Sequence, residues 1–147
     1  MSDNEPLVLR EDREGIAFLT LNRPASRNAP SSKMLSALEE SFEAISATPS
    51  IRMAVIAGAG PGFCAGHDLR EVRAADGAAR SQLLEQCSRM IQRITTLPVP
   101  VIARVHGIAT AAGCQLVATC DLAIAADSAR FAVSGINVGL LELPRGV

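Results

Sequence analysis

The sequence predicts an α/β domain built on a mostly buried sheet. Apolar stretches of strand length alternate with amphipathic stretches of helix length, and this order favours parallel strands joined by right-handed crossovers. Apolar residues make up 48% of the 147 residues but aromatic residues only 3%, so the core must rest on Ala, Val, Ile and Leu. Such aliphatic strands suit a sheet that is covered on both faces. At this length we expect a single domain, residues 1–147.

The N-terminal half predicts two strands with a helix between them. Residues 15–22 are apolar and β-branched enough for a strand. Residues 31–49 predict a helix with Ser31 or Ser32 as its N-cap. Its apolar face is formed at 3-4-3 spacing by Leu35, Leu38, Phe42 and Ile45. Residues 51–58 are a continuous apolar strand that runs into a glycine-rich loop.

The C-terminal half predicts two more helices and two more strands. Residues 79–98 form a second amphipathic helix that ends before its last residue, a proline. We expect it to pack on the sheet, like the first helix, through Leu83, Cys87, Met90 or Ile91, and Ile94. Residues 100–107 predict a third buried strand, residues 111–119 a helix of small side chains, and residues 121–127 a fourth strand.

Charge and cysteine spacing exclude several classes of function. The formal net charge is −1, and no basic patch alternates with aromatic residues, so we expect no nucleic-acid partner. The four cysteines form no C-x-x-C pair, and His67 and His106 stand at no zinc-ligand spacing, so we expect no metal. The cysteines are interpreted as reduced residues that pack as small hydrophobic side chains.

The sequence shows no targeting or membrane segment. The N-terminus, "MSDNEPLVLRED", is acidic and lacks both an apolar core and an Arg/Ser-rich character. No apolar run approaches the ~18 residues that suggest a membrane span. These observations predict a cytoplasmic protein without a membrane partner.

The loop "GAGPGFCAG", residues 58–66, follows a predicted strand and could in principle cradle a phosphate. It lacks the Lys-Ser/Thr ending of a P-loop, and Phe63 stands where a dinucleotide fingerprint needs its third glycine. A nucleotide site is therefore disfavoured. The glycines instead allow the backbone to turn sharply and approach a ligand, so that N–H groups can receive an anion or oxyanion.

A second segment offers a partner for this loop. Gly107 and the run from Ala111 to Gly113 precede or open a predicted helix, and small side chains there leave unpaired N–H groups accessible. One N–H from each segment, aimed at the same carbonyl oxygen, would make an oxyanion hole. Close helix–sheet packing explains the small residues equally well, and the residues alone leave both explanations open.

The segment "FCAGHDLRE", followed by "PVPVIARVHGIATAAGCQLVATCDLAIAAD", resembles the crotonase superfamily, also called the enoyl-CoA hydratase/isomerase family. "LNRPASRNA" is similar to that family's CoA-contacting segment, and the resemblance runs from about residue 15 to about residue 140. "AGHDL" and "ATAAGCQL" look most like the subgroup of enoyl-CoA hydratase domain-containing protein 3. The resemblance implies a ββα-spiral core that binds an acyl-CoA thioester and assembles as trimers or paired trimers. It implies no cofactor beyond the coenzyme A of the substrate.

The resemblance also assigns site residues. It places the two oxyanion N–H groups on His67, after Ala65 and Gly66, and on Ala112, before Gly113. Both act through the backbone, so the resemblance gives the His67 imidazole no role as a metal ligand or in proton transfer. The expected contacts with CoA and the acyl chain are Arg27, Asn28, Ala65, Gly66, Asp68, Leu69, Arg70 and Gly113.

Two departures from the family pattern concern its acid–base residues. Family hydratases use two glutamates to position a water and exchange its proton, but the matching positions here are Gln115 and Gly135. A neutral amide can hold a water and cannot accept its proton near pH 7. We therefore do not expect efficient hydration of an enoyl-CoA, nor isomerisation that depends on the second position.

The printed chain ends about midway through the family's usual length, and its last residues, "LELPRGV", fit the family poorly. The expectation is a partial crotonase-like domain, the N-terminal part only, in which the C-terminal helices are absent. Glu142 lies in this segment and is not taken as a replacement base. Three interpretations remain. The first and favoured one is an enzyme that acts on an acyl-CoA without the two glutamates, the second is a non-catalytic acyl-CoA-binding or regulatory relative, and the third is an inactive fragment.

Overall fold

The computed structural model describes residues 5–133 of the chain. Its strands are β1 (Val8–Arg13), β2 (Ile16–Leu21), β3 (Met53–Gly58), β4 (Val101–Val105), β5 (Ile108–Thr110), β6 (Leu122–Ala125) and β7 (Arg130–Ala132). Its α-helices are α1 (Ser32–Ser46), α2 (Leu69–Ala74), α3 (Gly77–Thr95) and α4 (Ala112–Thr119). A short 3-10 helix, Pro24–Ser26, follows β2.

The strands form one main sheet and one small sheet. The main sheet has the order β1-β2-β3-β4-β6; β1 runs antiparallel to β2, and the other neighbours are parallel. The small sheet pairs β5 with β7 in parallel. The predicted α/β class with a largely parallel sheet is confirmed.

The two amphipathic helices form as predicted. Ser31 caps α1, because its side chain accepts a hydrogen bond from the Met34 N–H. The predicted apolar face of α1 is buried, together with Met34. Helix α3 begins at Gly77, before the predicted start, because the Asp76 side chain caps it by accepting from the Ala79 N–H. Its buried residues are Leu83, Cys87, Met90, Ile91 and Ile94, as predicted.

The core lies between these helices and the main sheet. Helix α1 packs against β1, β2 and α3, and α3 also contacts α4. The buried cluster includes Leu19, Phe42 and Ile56. Burial raises the pKa of the Cys64 thiol to about 12, so this thiol stays protonated. The interpretation of the cysteines as reduced residues agrees with this structure, although Cys114 and Cys120 are only partly buried.

Five elements were not predicted: β1, the 3-10 helix, α2, β5 and β7. Strand β1 is mostly exposed and carries charged residues, which is typical of a protected sheet edge. Helix α2 has six residues and buries only Val72, and β5 and β7 have three residues each. Such short segments show too little periodicity to be recognised.

Strand β6 lies where the sequence predicts a strand, but it is not buried. All four of its residues are exposed, with Leu122 at 63% and Ile124 at 64%. The reason is that β6 stands at the end of the main sheet, and none of residues 5–133 covers it. Gly135 and Glu142 lie outside the described residues.

Candidate functional site

The two segments with candidate N–H groups leave the same edge of the main sheet. Strands β3 and β4 are parallel neighbours, so their carboxyl ends lie side by side. The loop of residues 59–68 follows β3 and leads into α2, while residues 106–111 follow β4 and lead into α4. Ligands of open α/β sheets bind outside the carboxyl ends of strands, and this edge is such a place.

Direct hydrogen bonds join the two segments. The Cys64 N–H donates to the Ile108 carbonyl oxygen at 3.1 Å, and the Thr110 N–H donates to the Cys64 carbonyl oxygen at 3.0 Å. The Thr110 hydroxyl donates to the Ala65 carbonyl oxygen at 3.1 Å. Residues 64–65 are therefore fixed against β5, just before the predicted site residues Gly66 and His67.

Small residues let the backbones meet at this point. Gly66 has φ +85°, and a Cβ atom added to it would lie 2.7 Å from Ala111 Cβ and 3.5 Å from Ala112 N. A Cβ atom on Gly113 would overlap the Cys64 carbonyl oxygen. Side chains at either glycine would force the segments apart. The small residues thus serve close packing, and that packing brings the Gly66–His67 backbone next to the start of α4.

Ala111 has an unusual backbone conformation, with φ 53° and ψ −124°. Non-glycine residues rarely adopt positive φ, and such strain collects at functional sites. The Ala111 N–H donates to the Ala132 carbonyl oxygen at 2.9 Å, and this bond holds the residue in place. The conformation sets the direction in which the first N–H group of α4, that of Ala112, points.

The N–H groups of His67 and Ala112 are both without an acceptor among residues 5–133. Ala112 is buried, with 3% of its surface exposed. Its N–H is one of the unpaired donors that every helix start leaves. Within the described part of the chain, two donors without an acceptor thus stand on adjoining segments, which is one condition for the predicted oxyanion hole.

The His67 side chain is half-buried, and its Nδ1 atom is buried without a hydrogen-bond partner in the described part of the chain. Burial lowers the pKa of His67 below its ordinary value, although the charge of Glu71 acts in the opposite direction. The imidazole is thus neutral at pH 7. Among residues 5–133 no group of three or more His, Cys, Asp or Glu side chains could hold a metal ion.

Asp68 is engaged in holding α2. Its side chain caps the helix by accepting from the Arg70 N–H at 3.0 Å and accepts from Arg23 Nη2 at 2.9 Å. Burial by itself raises the pKa of Asp68, but the bonds from Arg23 and Arg70 outweigh it, so the pKa lies below its ordinary value. Leu69 and Arg70 are exposed in the first turn of α2. Arg23 is a site residue that the sequence did not reveal.

Arg27 and Asn28 have opposite environments. Both have positive φ, at 52° and 57°, but Arg27 is exposed whereas Asn28 is 0% exposed. The Asn28 side chain is used entirely for internal hydrogen bonds. The CoA contacts of both residues stay predictions, and of the two side chains only that of Arg27 is exposed.

Gln115 lies in the first turn of α4, after Gly113 and Cys114, and is half-buried. Its N–H donates to the Ala111 carbonyl oxygen at 3.0 Å. Its side-chain amide makes no hydrogen bond with residues 5–133. Within the described part of the chain, the amide is thus open to a ligand or a water.

The sequence also did not reveal a groove of about 760 Å³ next to α2. It is lined by residues from the start of α1, from α2 and from α3, among them Ser32, Glu71, Leu83, Gln86 and Arg89. Glu71 accepts from the Ser32 N–H and hydroxyl, so two of the lining residues are joined directly. No sequence motif marks this groove, since its walls come from separate elements.

No helix in residues 5–133 is long and apolar enough to cross a membrane.

Comparison with known proteins identifies the family. The family model for enoyl-CoA hydratase/isomerase matches residues 11–145. Enoyl-CoA hydratase domain-containing protein 3 of Danio rerio is 45% identical over 139 residues, which cover 94% of this chain and 48% of the relative. The 2,3-dehydroadipyl-CoA hydratase of Escherichia coli is 38% identical over 138 residues, covering 94% of this chain and 52% of the relative. The predicted resemblance and its subgroup are confirmed.

Solved structures agree with this assignment. The crystal structure of an enoyl-CoA hydratase from Mycobacterium smegmatis matches with a TM-score of 0.90 and 56% identity, over 92% of this chain and 54% of that one. Human enoyl-CoA hydratase domain-containing protein 3 matches with a TM-score of 0.87 and 38% identity, over 91% of this chain and 53% of that one. The crotonase-like fold, as the N-terminal part of these longer chains, is confirmed.

The prediction of a cytoplasmic location is wrong. The relatives from Danio rerio, Xenopus laevis, Mus musculus and Homo sapiens are all named as mitochondrial proteins, and this points away from the cytoplasm. The cytoplasmic prediction was based on the acidic N-terminus of the printed sequence.

The chain spans about half the length of the curated relatives it matches. The family model nevertheless covers most of it, including both segments of the candidate site. The chain belongs to the enoyl-CoA hydratase/isomerase family.

Proposed function

We propose that this chain binds an acyl-CoA thioester and holds its carbonyl oxygen between the N–H groups of His67 and Ala112. The observation that carries the proposal is the contact of the Gly66 backbone with Ala111 and Ala112, next to which both N–H groups lack an acceptor among residues 5–133. Names of relatives such as 2,3-dehydroadipyl-CoA hydratase support a CoA thioester as the ligand class.

Two such donors would promote reactions of the bound thioester. They stabilise the negative charge that develops on the oxygen when a base removes an α-proton or a nucleophile adds at the β-carbon, with about 3–4 kcal/mol at stake for each donor. The dipole at the start of α4 adds to this stabilisation. The site therefore fits reactions that pass through an enolate-like thioester, which is the activity that we favour.

The Gln115 amide favours a second candidate, an acyl-CoA-binding protein without hydratase activity. Gln115 can orient a water through hydrogen bonds but offers no base near pH 7. Binding without turnover would follow if no other group of the whole protein supplied the base. Assembly into trimers or paired trimers, as the family resemblance implies, belongs to the same proposal and would apply to a full-length protein.

The first prediction tests the two N–H groups. Ala112→Pro removes one N–H at the first position of a helix, where proline is tolerated. We expect the affinity for butyryl-CoA, measured by isothermal titration calorimetry, to fall by at least tenfold. His67→Ala keeps its N–H and should bind within about twofold of wild type, because the imidazole has no part in the proposed contact.

Circular dichroism of both variants checks that the fold is kept. If His67→Ala weakens binding as much as Ala112→Pro does, the imidazole contacts the ligand and the backbone model is wrong. If Ala112→Pro folds and binds butyryl-CoA like wild type, the site lies elsewhere.

A further inference from the structure

Asn28 has more internal hydrogen bonds than its place in an irregular segment would suggest. Its Oδ1 accepts from the Arg23 N–H at 2.9 Å, and its Nδ2 donates to the carbonyl oxygens of Ala59 and Gly62 at 2.8 and 2.9 Å. The side chain is 0% exposed and φ is 57°, a conformation that asparagine tolerates better than most residues. One buried amide thus binds both ends of the turn that follows β3.

The chain around Asn28 holds the other end of the same loop. The Ala65 N–H donates to the Arg27 carbonyl oxygen at 3.0 Å, and the Asp68 N–H donates to the Pro30 carbonyl oxygen at 3.2 Å. These two bonds lie on either side of His67. Residues 23–30 therefore bind the loop before and after the N–H group that the proposed function uses.

Arg23 completes this set of contacts. Its guanidinium group donates to the Ala29 carbonyl oxygen at 2.6 Å and to the Asp68 carboxylate at 2.9 Å. The Arg23 backbone N–H donates to Asn28 Oδ1. The Asn28 amide thus connects residues 23–30 to the loop of residues 59–68. The Arg23 guanidinium connects the same residues to Asp68 at the start of α2.

We propose that Asn28 is a positioning residue for the thioester site: it holds the loop of residues 59–68 so that the His67 N–H keeps a fixed place opposite the Ala112 N–H. This inference rests on the proposed function. Asn28 does not touch the ligand in this arrangement. It acts through the turn at Ala59 and Gly62, whose carbonyl oxygens accept from its Nδ2.

The test compares two ligands that differ only at the carbonyl group. Butyryl-CoA has the thioester oxygen that the two N–H groups would bind, whereas S-butyl-CoA, a thioether, lacks it. We expect wild type to bind butyryl-CoA at least tenfold more tightly than S-butyl-CoA. Asn28→Asp removes both donors at nearly constant size and should abolish this preference, while the affinity for S-butyl-CoA stays within about twofold.

Gln86→Glu is the matched control. Gln86 Nε2 donates to the Ser32 carbonyl oxygen and the Ser36 hydroxyl, so this variant also replaces an amide that makes two donor bonds by a carboxylate. It should keep the thioester preference. Asn28→Gly, which accepts positive φ without strain and brings no charge, serves as a second variant if Asn28→Asp does not fold.

The outcomes separate the two proposals. A wild-type chain that binds both ligands equally overturns the proposed function and this inference with it. A wild-type preference that Asn28→Asp or Asn28→Gly retains overturns the inference alone. An equal loss of affinity for both ligands in the folded variants also overturns it, since the role of Asn28 would then be general support of the fold. A lower carbonyl stretching frequency of bound butyryl-CoA in wild type, absent in the variants, is the supporting spectroscopic result.

Discussion

At the residue scale, Gln115 is the side chain on which the proposed chemistry of the site most depends. Gln115 is the fourth residue of α4, three positions after Ala112. Family hydratases, by the resemblance described above, have a glutamate at this position. We expect glutamine here to leave the proposed thioester binding intact while it supplies no proton acceptor. Binding and hydration can then be tested separately.

The prediction at this scale is that Gln115→Glu raises the hydration of crotonyl-CoA above the wild-type level. Glutamate is nearly isosteric with glutamine, and the helix start favours its ionised form. General-base catalysis contributes typically ~10²–10⁴-fold. We expect a gain of at least tenfold in kcat/KM, well below that of a full hydratase because Gly135 supplies no second proton-transfer group.

The measurement is the loss of the enoyl-thioester absorbance over time. Gln115→Met removes the amide at similar size but adds no carboxylate, so its kcat/KM should not rise. This control separates the effect of a new base from the effect of losing the amide. A wild-type rate that the Glu variant does not improve would mean that another residue is the base, and the assignment of Gln115 would be wrong.

At the element scale, the start of α4 combines a helix, a turn and a strained residue. Ala111 at φ 53° and ψ −124° is the residue before the first helical position. Its strain persists because the Ala111 N–H is bonded to Ala132 and Gly66 packs against its side chain. The strain costs stability of order 1–3 kcal/mol and orients the Ala112 N–H.

We therefore predict that Ala111→Gly stabilises the chain by about 0.5–1 kcal/mol, because the relieved strain exceeds the ~0.4–1 kcal/mol lost to the greater freedom of glycine in the unfolded state. Urea unfolding gives the free energy of unfolding. Ala118→Gly is the control, since Ala118 is exposed within the same helix and its replacement should cost about 1 kcal/mol. Equal destabilisation by the two substitutions would show that Ala111 is not strained.

The same scale shows what the sequence could predict. Helices α1 and α3 are long enough to show a periodic apolar face, and their buried residues were predicted correctly. Strands β5 and β7 are too short for any pattern. Small residues marked the segments around Gly66 and Ala112. Asn28 Nδ2 donates to carbonyl oxygens 31 and 34 residues away, and the Thr110 hydroxyl donates to one 45 residues away. No local sequence pattern predicts such distant contacts.

At the scale of the whole molecule, the described structure has one well-covered side and one uncovered side. Strands β2 and β3 and helices α1 and α3 bury their apolar residues together. Strand β6 instead exposes Leu122 and Ile124, and Phe131 and Val133 at or next to β7 are 48% and 69% exposed. No described strand pairs with the edge of β6 that faces away from β4. The proposed site lies between these two regions, since β5 pairs with β7 and leads into α4.

The last prediction is that the 147-residue chain self-associates through this uncovered surface. An exposed apolar strand with a free edge is a template for pairing with another copy, and exposed apolar surface favours association in water. Sedimentation velocity and light scattering should show a weight-average mass above the monomer mass of 15.4 kDa that rises with concentration.

Replacing Leu122 and Ile124 together by lysine should shift the population towards monomer with little loss of stability, since both side chains are already exposed. Leu9 and Leu84, which are exposed away from β6, provide the control when replaced in the same way. A monomer at every concentration, or an assembly that only the control pair disrupts, would mean that the surface around β6 does not drive association.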